Sequence, residues 1–110
     1  MKFITKDTND VKVVVLEGEL DTLAAPEAKN QLNQMRTQGA KKILLDLAKL
    51  DFITSAGLRV LLATAQELKE VGGEMRVCNL NETVQEVFDI SGFNTLLLVF
   101  DNESHAMTGF

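Results

Sequence analysis

Two adjacent hydroxyl side chains, Thr54 and Ser55, lie in the stretch DFITSAGLRVLL (residues 51–62), where a strand-like end meets an apolar run. They are followed by Ala56 and Gly57, the two smallest residue types. A serine at a helix start can accept a hydrogen bond from a free backbone N–H, and such a cap contributes about 1 kcal/mol. Capping does not explain Gly57, because glycine inside a helix costs about 1 kcal/mol relative to alanine. Gly57 therefore either permits tight packing of the helix or leaves the hydroxyls open to a partner.

The sequence contains few other side chains that could act in catalysis. The chain contains one histidine, His105, in a polar segment, and one cysteine, Cys78, which is expected to be a small core residue. One of each provides neither a zinc site nor a Cys/His nucleophilic pair. No G-x-G-x-x-G or G-x-x-x-x-G-K-S/T phosphate-binding loop is present. We therefore expect a protein that is not an enzyme and that holds no cofactor and no metal.

Length, composition and charge narrow the class of protein. A chain of 110 residues with 45% hydrophobic and 25% charged residues is typical of one soluble globular domain spanning residues 1–110. The net charge of -5 argues against a nucleic-acid partner, because neutralising phosphates requires clustered lysine and arginine. No apolar run approaches the roughly 18 residues of a membrane span, and the N-terminus lacks a signal-peptide core. We expect a cytoplasmic protein with no membrane partner.

The hydrophobic pattern predicts strands and helices in alternation. Strands are predicted at 11–20, 41–47, 74–80 and 94–100, and segment 2–6 is a candidate hairpin partner of the first. Helices are predicted from Pro26 to Gly39, from near Ser55 to Gly72, from an Asn81 N-cap to about Ile90 with Gly92 as its end, and at 102–108. This order predicts an α/β sheet with parallel neighbours, and an antiparallel N-terminal pair would make the sheet mixed.

Three segments in sequence resemble one known family. The run LDLAKLDFITSAGLRVLL (45–62) is similar to the signature of STAS domains, specifically bacterial anti-sigma factor antagonists, in which Asp-Ser-Ser/Ala-Gly-Leu opens a helix. The run LEGELDTLAAPEAKNQL (16–32) resembles the family's Gly-x-Leu-Asp followed by a helix. The run GGEMRVCNLNETVQEVFDISGF (72–93) resembles its Gly-Gly, strand and helix ending in Ser-Gly. The resemblance implies a small STAS-like α/β domain with a mixed central sheet of about five strands and three to four helices.

The resemblance also implies a function. In this family a serine is phosphorylated by a cognate anti-sigma factor that is also a serine protein kinase, and a phosphatase resets it. The unphosphorylated antagonist binds the kinase and frees the sigma factor. By position the acceptor is Ser55, with Thr54 as the alternative acceptor. Thr54 stands where the family has an aspartate, so a carboxylate has been replaced by a second hydroxyl.

The implied partner-binding surface surrounds the start of the second helix. It comprises Asp21, Thr54, Ser55, Ala56, Gly57 and Arg59. Asp21 matches a family residue near this surface, although aspartate is also common in turns for purely structural reasons.

Two other functions remain open. The missing aspartate at position 54 is compatible with a STAS subunit that works without phosphorylation, in a lipid-transport or signalling assembly. A small enzyme of unrelated α/β type is disfavoured by the poor supply of catalytic groups.

Overall fold

The computed structural model describes residues 1–91 and 97–110 of the chain. These residues contain six strands and four helices. The strands are β1 Lys2–Thr8, β2 Val11–Leu20, β3 Lys42–Asp46, β4 Leu50–Ile53, β5 Glu74–Cys78 and β6 Leu98–Phe100. The helices are α1 Ala25–Thr37, α2 Ser55–Glu70, α3 Glu82–Ser91 and α4 Glu103–Met107. The predicted helix end at Gly92 and the predicted strand residues 94–96 lie outside the described residues.

The strands form a mixed sheet in the order β1-β2-β3-β5-β6. β1 and β2 pair antiparallel, whereas β2–β3, β3–β5 and β5–β6 pair parallel. The β1–β2 turn passes through Asn9, whose φ of 59° lies in the left-handed region that asparagine tolerates better than most residues. The predicted α/β class, the N-terminal hairpin and the mixed sheet are confirmed.

β4 is a strand that the predicted order of elements did not contain. β2 is ten residues long, and its first half, Val11–Val15, pairs with β3. Its last residues, Gly18–Leu20, pair instead with β4, after a register shift between Gly18 and Glu19. A four-residue strand has too short a hydrophobic pattern to be recognised alone, so its existence depends on this pairing.

The two faces of the sheet are covered unequally. Alternate side chains of a strand point to opposite faces. Val14 and Leu16 of β2 therefore join the large core with residues of α1, α2 and α3. Val11 and Val13 join a smaller cluster with Ala106 of α4. The smaller cluster also contains Cys78, which is fully buried as predicted.

Arg76 fastens the C-terminal segment to the second face. It is 8% exposed and pairs with Glu74 through a 2.7 Å contact. Its guanidinium donates hydrogen bonds to the carbonyl oxygens of Ala106, Thr108 and Gly109 at 2.9, 2.9 and 3.2 Å. It also lies over the rings of Phe100 and Phe110, with centroids 5.1 and 4.4 Å from the guanidinium carbon. One buried cation thus connects β5 to the last ten residues.

Candidate functional site

Thr54, not Ser55, is the N-cap of α2. Its backbone is extended (φ −95°, ψ 171°), and its hydroxyl oxygen accepts a hydrogen bond from the Gly57 N–H at 3.3 Å. The Thr54 N–H donates to the Leu20 carbonyl oxygen at 3.0 Å, which ties the helix start to the end of β2. The interpretation of Ser55 as the cap is wrong because Ser55 is already the first residue of the helix.

Ser55 is consequently free for another role. Its side chain is exposed, and among residues 1–91 and 97–110 its hydroxyl has no hydrogen-bond partner. The first turn of α2 contains no acidic residue. An exposed hydroxyl at the first helical position is accessible to the active site of another protein.

Gly57 is required by packing. A Cβ at this position would lie 2.7 Å from Leu20 Cγ and 3.1 Å from Ile53 Cγ1, and closer still to the Leu20 carbonyl oxygen. The backbone oxygen cannot move away without breaking the end of β2. Of the two interpretations of Gly57, close packing of α2 on the sheet accounts for its burial, and Gly57 presents no side chain to a partner.

Asp21 lies at the same edge of the sheet as Thr54. Leu20 and Ile53 are partners in the parallel β2–β4 ladder, so the residues that follow them emerge side by side. One carboxylate oxygen, Oδ1, accepts from the Ala24 N–H at 2.8 Å, and the Asp21 carbonyl accepts from the Ala25 N–H at 3.0 Å. Asp21 therefore builds the turn before α1, and its Oδ2 has no partner among the described residues.

An open depression of about 530 Å³ adjoins Asp21. Four of its lining residues are acidic, namely Glu19, Asp21, Glu27 and Asp51, and none is a lysine or an arginine. Leu23 also lines it and is 90% exposed, the largest exposure of any sizeable apolar side chain in the described chain. Sequence reasoning missed Leu23, although a leucine between Asp21 and Pro26, in a predicted turn, was the available signal.

Arg59 lies on the other side of Ser55. It is exposed, one helical turn after Ser55, and it lines a groove of about 190 Å³ with Lys29 and Asn33 of α1. Glu67, which also lines this groove, forms an ion pair with Arg36 that joins α1 to α2. The structure thus brings Thr54, Ser55, Ala56 and Arg59 onto one corner together with Asp21.

Other chemistry-bearing residues lie elsewhere. Burial, with smaller contributions from Asp46 and Glu103, raises the pKa of the Cys78 thiol to about 12 and keeps it protonated at neutral pH. Across the described ranges, 1–91 and 97–110, no three His, Cys, Asp or Glu side chains are grouped so as to hold a metal ion. Within those same ranges, no helix has the length and apolarity needed to cross a membrane.

The fold and this corner define a family. The model of the STAS domain family matches residues 2–106, and the chain belongs to that family. It is 34% identical over 110 residues to the protein BtrV of Bordetella bronchiseptica, covering 100% of this chain and 95% of BtrV. It is 34% identical over 99 residues to the anti-sigma F factor antagonist of Paenibacillus polymyxa, covering 89% of this chain and 85% of that protein.

Solved structures agree with this assignment. The crystal structure of the Thermotoga maritima protein tm1081 superposes with a TM-score of 0.92 at 25% identity, covering 96% of this chain and 92% of that one. The Bacillus cell fate determinant SpoIIAA in its phosphorylated form superposes with a TM-score of 0.73 at 28% identity, covering 97% of both chains.

Proposed function

We propose that the protein is an anti-sigma factor antagonist that is switched by phosphorylation of Ser55. In its unphosphorylated form it binds a cognate anti-sigma factor that is also a serine kinase, and the sigma factor is released. The observation that carries this proposal is the exposed Ser55 hydroxyl. It is available for modification because Thr54, and not Ser55, caps α2. Relatives named as anti-sigma factor antagonists support the antagonist role, and the solved phosphorylated form of SpoIIAA supports regulation by phosphorylation.

Ser55 is a better acceptor than Thr54 for a structural reason. The Thr54 oxygen is half-buried and accepts the Gly57 N–H, so a phosphate there would displace the cap. Ser55 can be modified without breaking any hydrogen bond seen among the described residues. The kinase transfers the terminal phosphoryl group of ATP to Ser55 Oγ, ADP leaves, and the hydroxyl proton is released.

Phosphorylation blocks the partner surface and leaves the fold intact. The phosphate adds about -1.5 to -2 charge at pH 7. At the first position of α2 this charge faces the positive end of the helix dipole, which contributes about 0.3–1 kcal/mol at an exposed site. Thr54 assists, because the family's aspartate would repel the phosphate. In an interface the dianion would have to be desolvated, and each 1.4 kcal/mol lost is tenfold in affinity.

The partner surface combines an apolar centre with charged surroundings. Leu23 supplies the exposed apolar side chain, the four carboxylates around it favour a basic partner face, and Arg59 adds a cation beyond Ser55. An exposed apolar side chain surrounded by charges fits a protein partner. We also propose that the chain binds no nucleic acid, membrane or cofactor and catalyses no reaction. We further propose that the protein is cytoplasmic and that a phosphatase removes the phosphate from Ser55.

The decisive experiment is the intact mass of the protein after incubation with ATP and its cognate anti-sigma factor, the proposed serine kinase. We expect the mass of one added phosphoryl group, lost in Ser55→Ala and retained in Thr54→Ser. Addition that persists in Ser55→Ala would move the acceptor to Thr54. Binding of the partner without any phosphoryl transfer would favour the phosphorylation-independent STAS subunit, which Thr54 in place of the family aspartate keeps open.

Amide hydrogen exchange of the complex locates the surface independently. We expect protection on binding at residues 20–25 and 53–60, because Leu23 and Ser55 lie in these segments. Protection confined to α3 and β6 would contradict the proposed surface.

A further inference from the structure

Arg59 is the one arginine of the described chain whose guanidinium is unpaired. The chain has three arginines, and two of them are committed to structural contacts. Arg36 pairs with Glu67 between α1 and α2, and Arg76 pairs with Glu74. Within residues 1–91 and 97–110, Arg59 makes neither a hydrogen bond nor an ion pair, and it is exposed.

The helical neighbours of Arg59 explain why it is unpaired. Side chains three and four positions apart on a helix are neighbours. For Arg59 these are Ser55 and Ala56 before it and Leu62 and Ala63 after it, and none is a carboxylate. Ser55 is the one position among the four where a negative charge can arise, by phosphorylation.

The geometry of a helix directs Arg59 toward that position. Helical side chains lean toward the N-terminus and cover the turn before their own Cα, so the Arg59 guanidinium is within reach of the turn that contains Ser55. An anion that precedes a cation by four residues is also the more favourable order for such a pair. Arginine binds phosphate oxygens through two parallel N–H donors, which a lysine cannot do.

We propose that Arg59 is the intramolecular partner of phosphorylated Ser55 and holds the phosphate against the first turns of α2. The proposal rests on the proposed function, in which Ser55 is the acceptor. It adds a second effect to the switch: phosphorylation not only places a dianion in the interface but also removes Arg59 from contact with the partner. Arg59 is a positioning residue for the phosphate.

Other charged residues near Arg59 are the same in all of the variants below. Lys29 shares the groove but belongs to α1, and Glu67 in that groove is held by Arg36. The acidic residues Asp21 and Asp51 line the separate depression beside Leu23 and are unchanged in every variant below.

The test places phosphoserine at position 55 during synthesis, by expanded genetic code, and requires no kinase. The second pKa of the phosphate is followed by phosphorus NMR titration in the otherwise unaltered protein and in Arg59→Gln, Arg59→Lys and Lys69→Gln. A neighbouring cation stabilises the dianion, so the pKa of the phosphate should be lower in the otherwise unaltered protein than in Arg59→Gln by about 0.5 unit. Arg59→Lys should recover part of the difference.

Lys69→Gln is the matched control, because it removes one positive charge from the same helix about 21 Å from Ser55 along the axis. It should leave the phosphate pKa unchanged. Equal pKa values in the unaltered protein and in Arg59→Gln would overturn the proposal, as would an equal rise in Lys69→Gln. Failure of the kinase to modify Ser55 would defeat the proposed function instead, and the two failures are distinguishable because the titration uses installed phosphoserine.

Discussion

At the scale of single residues, the two adjacent hydroxyls have different surroundings and are therefore suited to different roles. Thr54 is half-buried, and its oxygen accepts the Gly57 N–H, whereas Ser55 is exposed and unbonded within the described chain. A capping oxygen that accepts a backbone N–H is held in place by that bond. A hydroxyl that must enter another protein's active site has to be free of it.

Replacing Thr54 by Val should destabilise the protein by about 1 kcal/mol, because valine has the same shape but cannot accept the Gly57 N–H. The corresponding fall in melting temperature is about 4 °C. Thr54→Ser should remain close to the unaltered protein. Thr83→Val, on the exposed part of α3, is the matched control and should change little. Equal stability of Thr54→Val and Thr83→Val would show that the cap contributes nothing.

Replacing Gly57 by Ala should destabilise the protein by about 2 kcal/mol, although alanine is the better helix former. The added Cβ collides with Leu20, whose backbone is fixed by pairing in the sheet. Ala63→Gly, at an exposed position of the same helix, measures the propensity difference alone and should cost about 1 kcal/mol. Urea unfolding checks both variants, and a more stable Gly57→Ala would reject the packing explanation.

At the scale of elements, the candidate site is assembled because β2 extends beyond the end of its partner β3. The last residues of β2 pair with β4, and this pairing brings the loop after β2 beside the start of α2. Asn81 strengthens the arrangement: its side-chain nitrogen donates to the Leu50 carbonyl oxygen at 2.9 Å, and its Oδ1 accepts the Val84 N–H at 2.8 Å. The predicted N-cap of α3 is thereby confirmed, and it also fastens α3 to β4.

The exposed loop between β2 and α1 should supply binding energy without supplying stability. Leu23→Ala should lower affinity for the partner kinase about tenfold, because an apolar side chain in the centre of an interface is worth about 1.4 kcal/mol or more. Its melting temperature should not change, since Leu23 is 90% exposed. Val71→Ala, at the far end of α2 and 54% exposed, is the control and should bind normally. Calorimetric titration that finds equal affinities for both variants would remove Leu23 from the interface.

At the scale of the whole molecule, the second face of the sheet depends on Arg76. The residues that cover this face, including Ala106 and Phe110, come from the last ten residues of the chain. A short helix such as α4 has little stability of its own, so long-range contacts must hold it. Arg76 provides three of them, to the carbonyls of Ala106, Thr108 and Gly109.

Arg76→Ala should destabilise the protein by about 3 kcal/mol and speed amide exchange in residues 103–110. Three carbonyls lose their donor, and the Phe100 and Phe110 rings lose the cation between them. Arg59→Ala is the matched control, because its guanidinium is exposed and unpaired in the described chain, and its stability should stay within about 0.5 kcal/mol. Unchanged exchange in residues 103–110 of Arg76→Ala would show that apolar packing alone holds the segment.

The sequence by itself determined the types and order of most elements, and it indicated the residues of the candidate site. Alternating apolar residues, Pro26, Asn81 and the glycines are local signals, and local signals set helix and strand boundaries. The mixed sheet followed from the order of the predicted strands and helices. The candidate acceptor at Ser55 followed from the resemblance of three sequence motifs to one family.

The tertiary structure alone decided which residues carry each role. β4 became a strand because β2 extends past β3, Thr54 became the cap because its N–H is held by Leu20, and Arg76 became buried because the C-terminal segment closes over it. Each of these contacts joins residues about 30 or more positions apart. A hydrophobic period spans only a few neighbours and cannot encode such contacts, whereas folding brings them together and gives each side chain its partner.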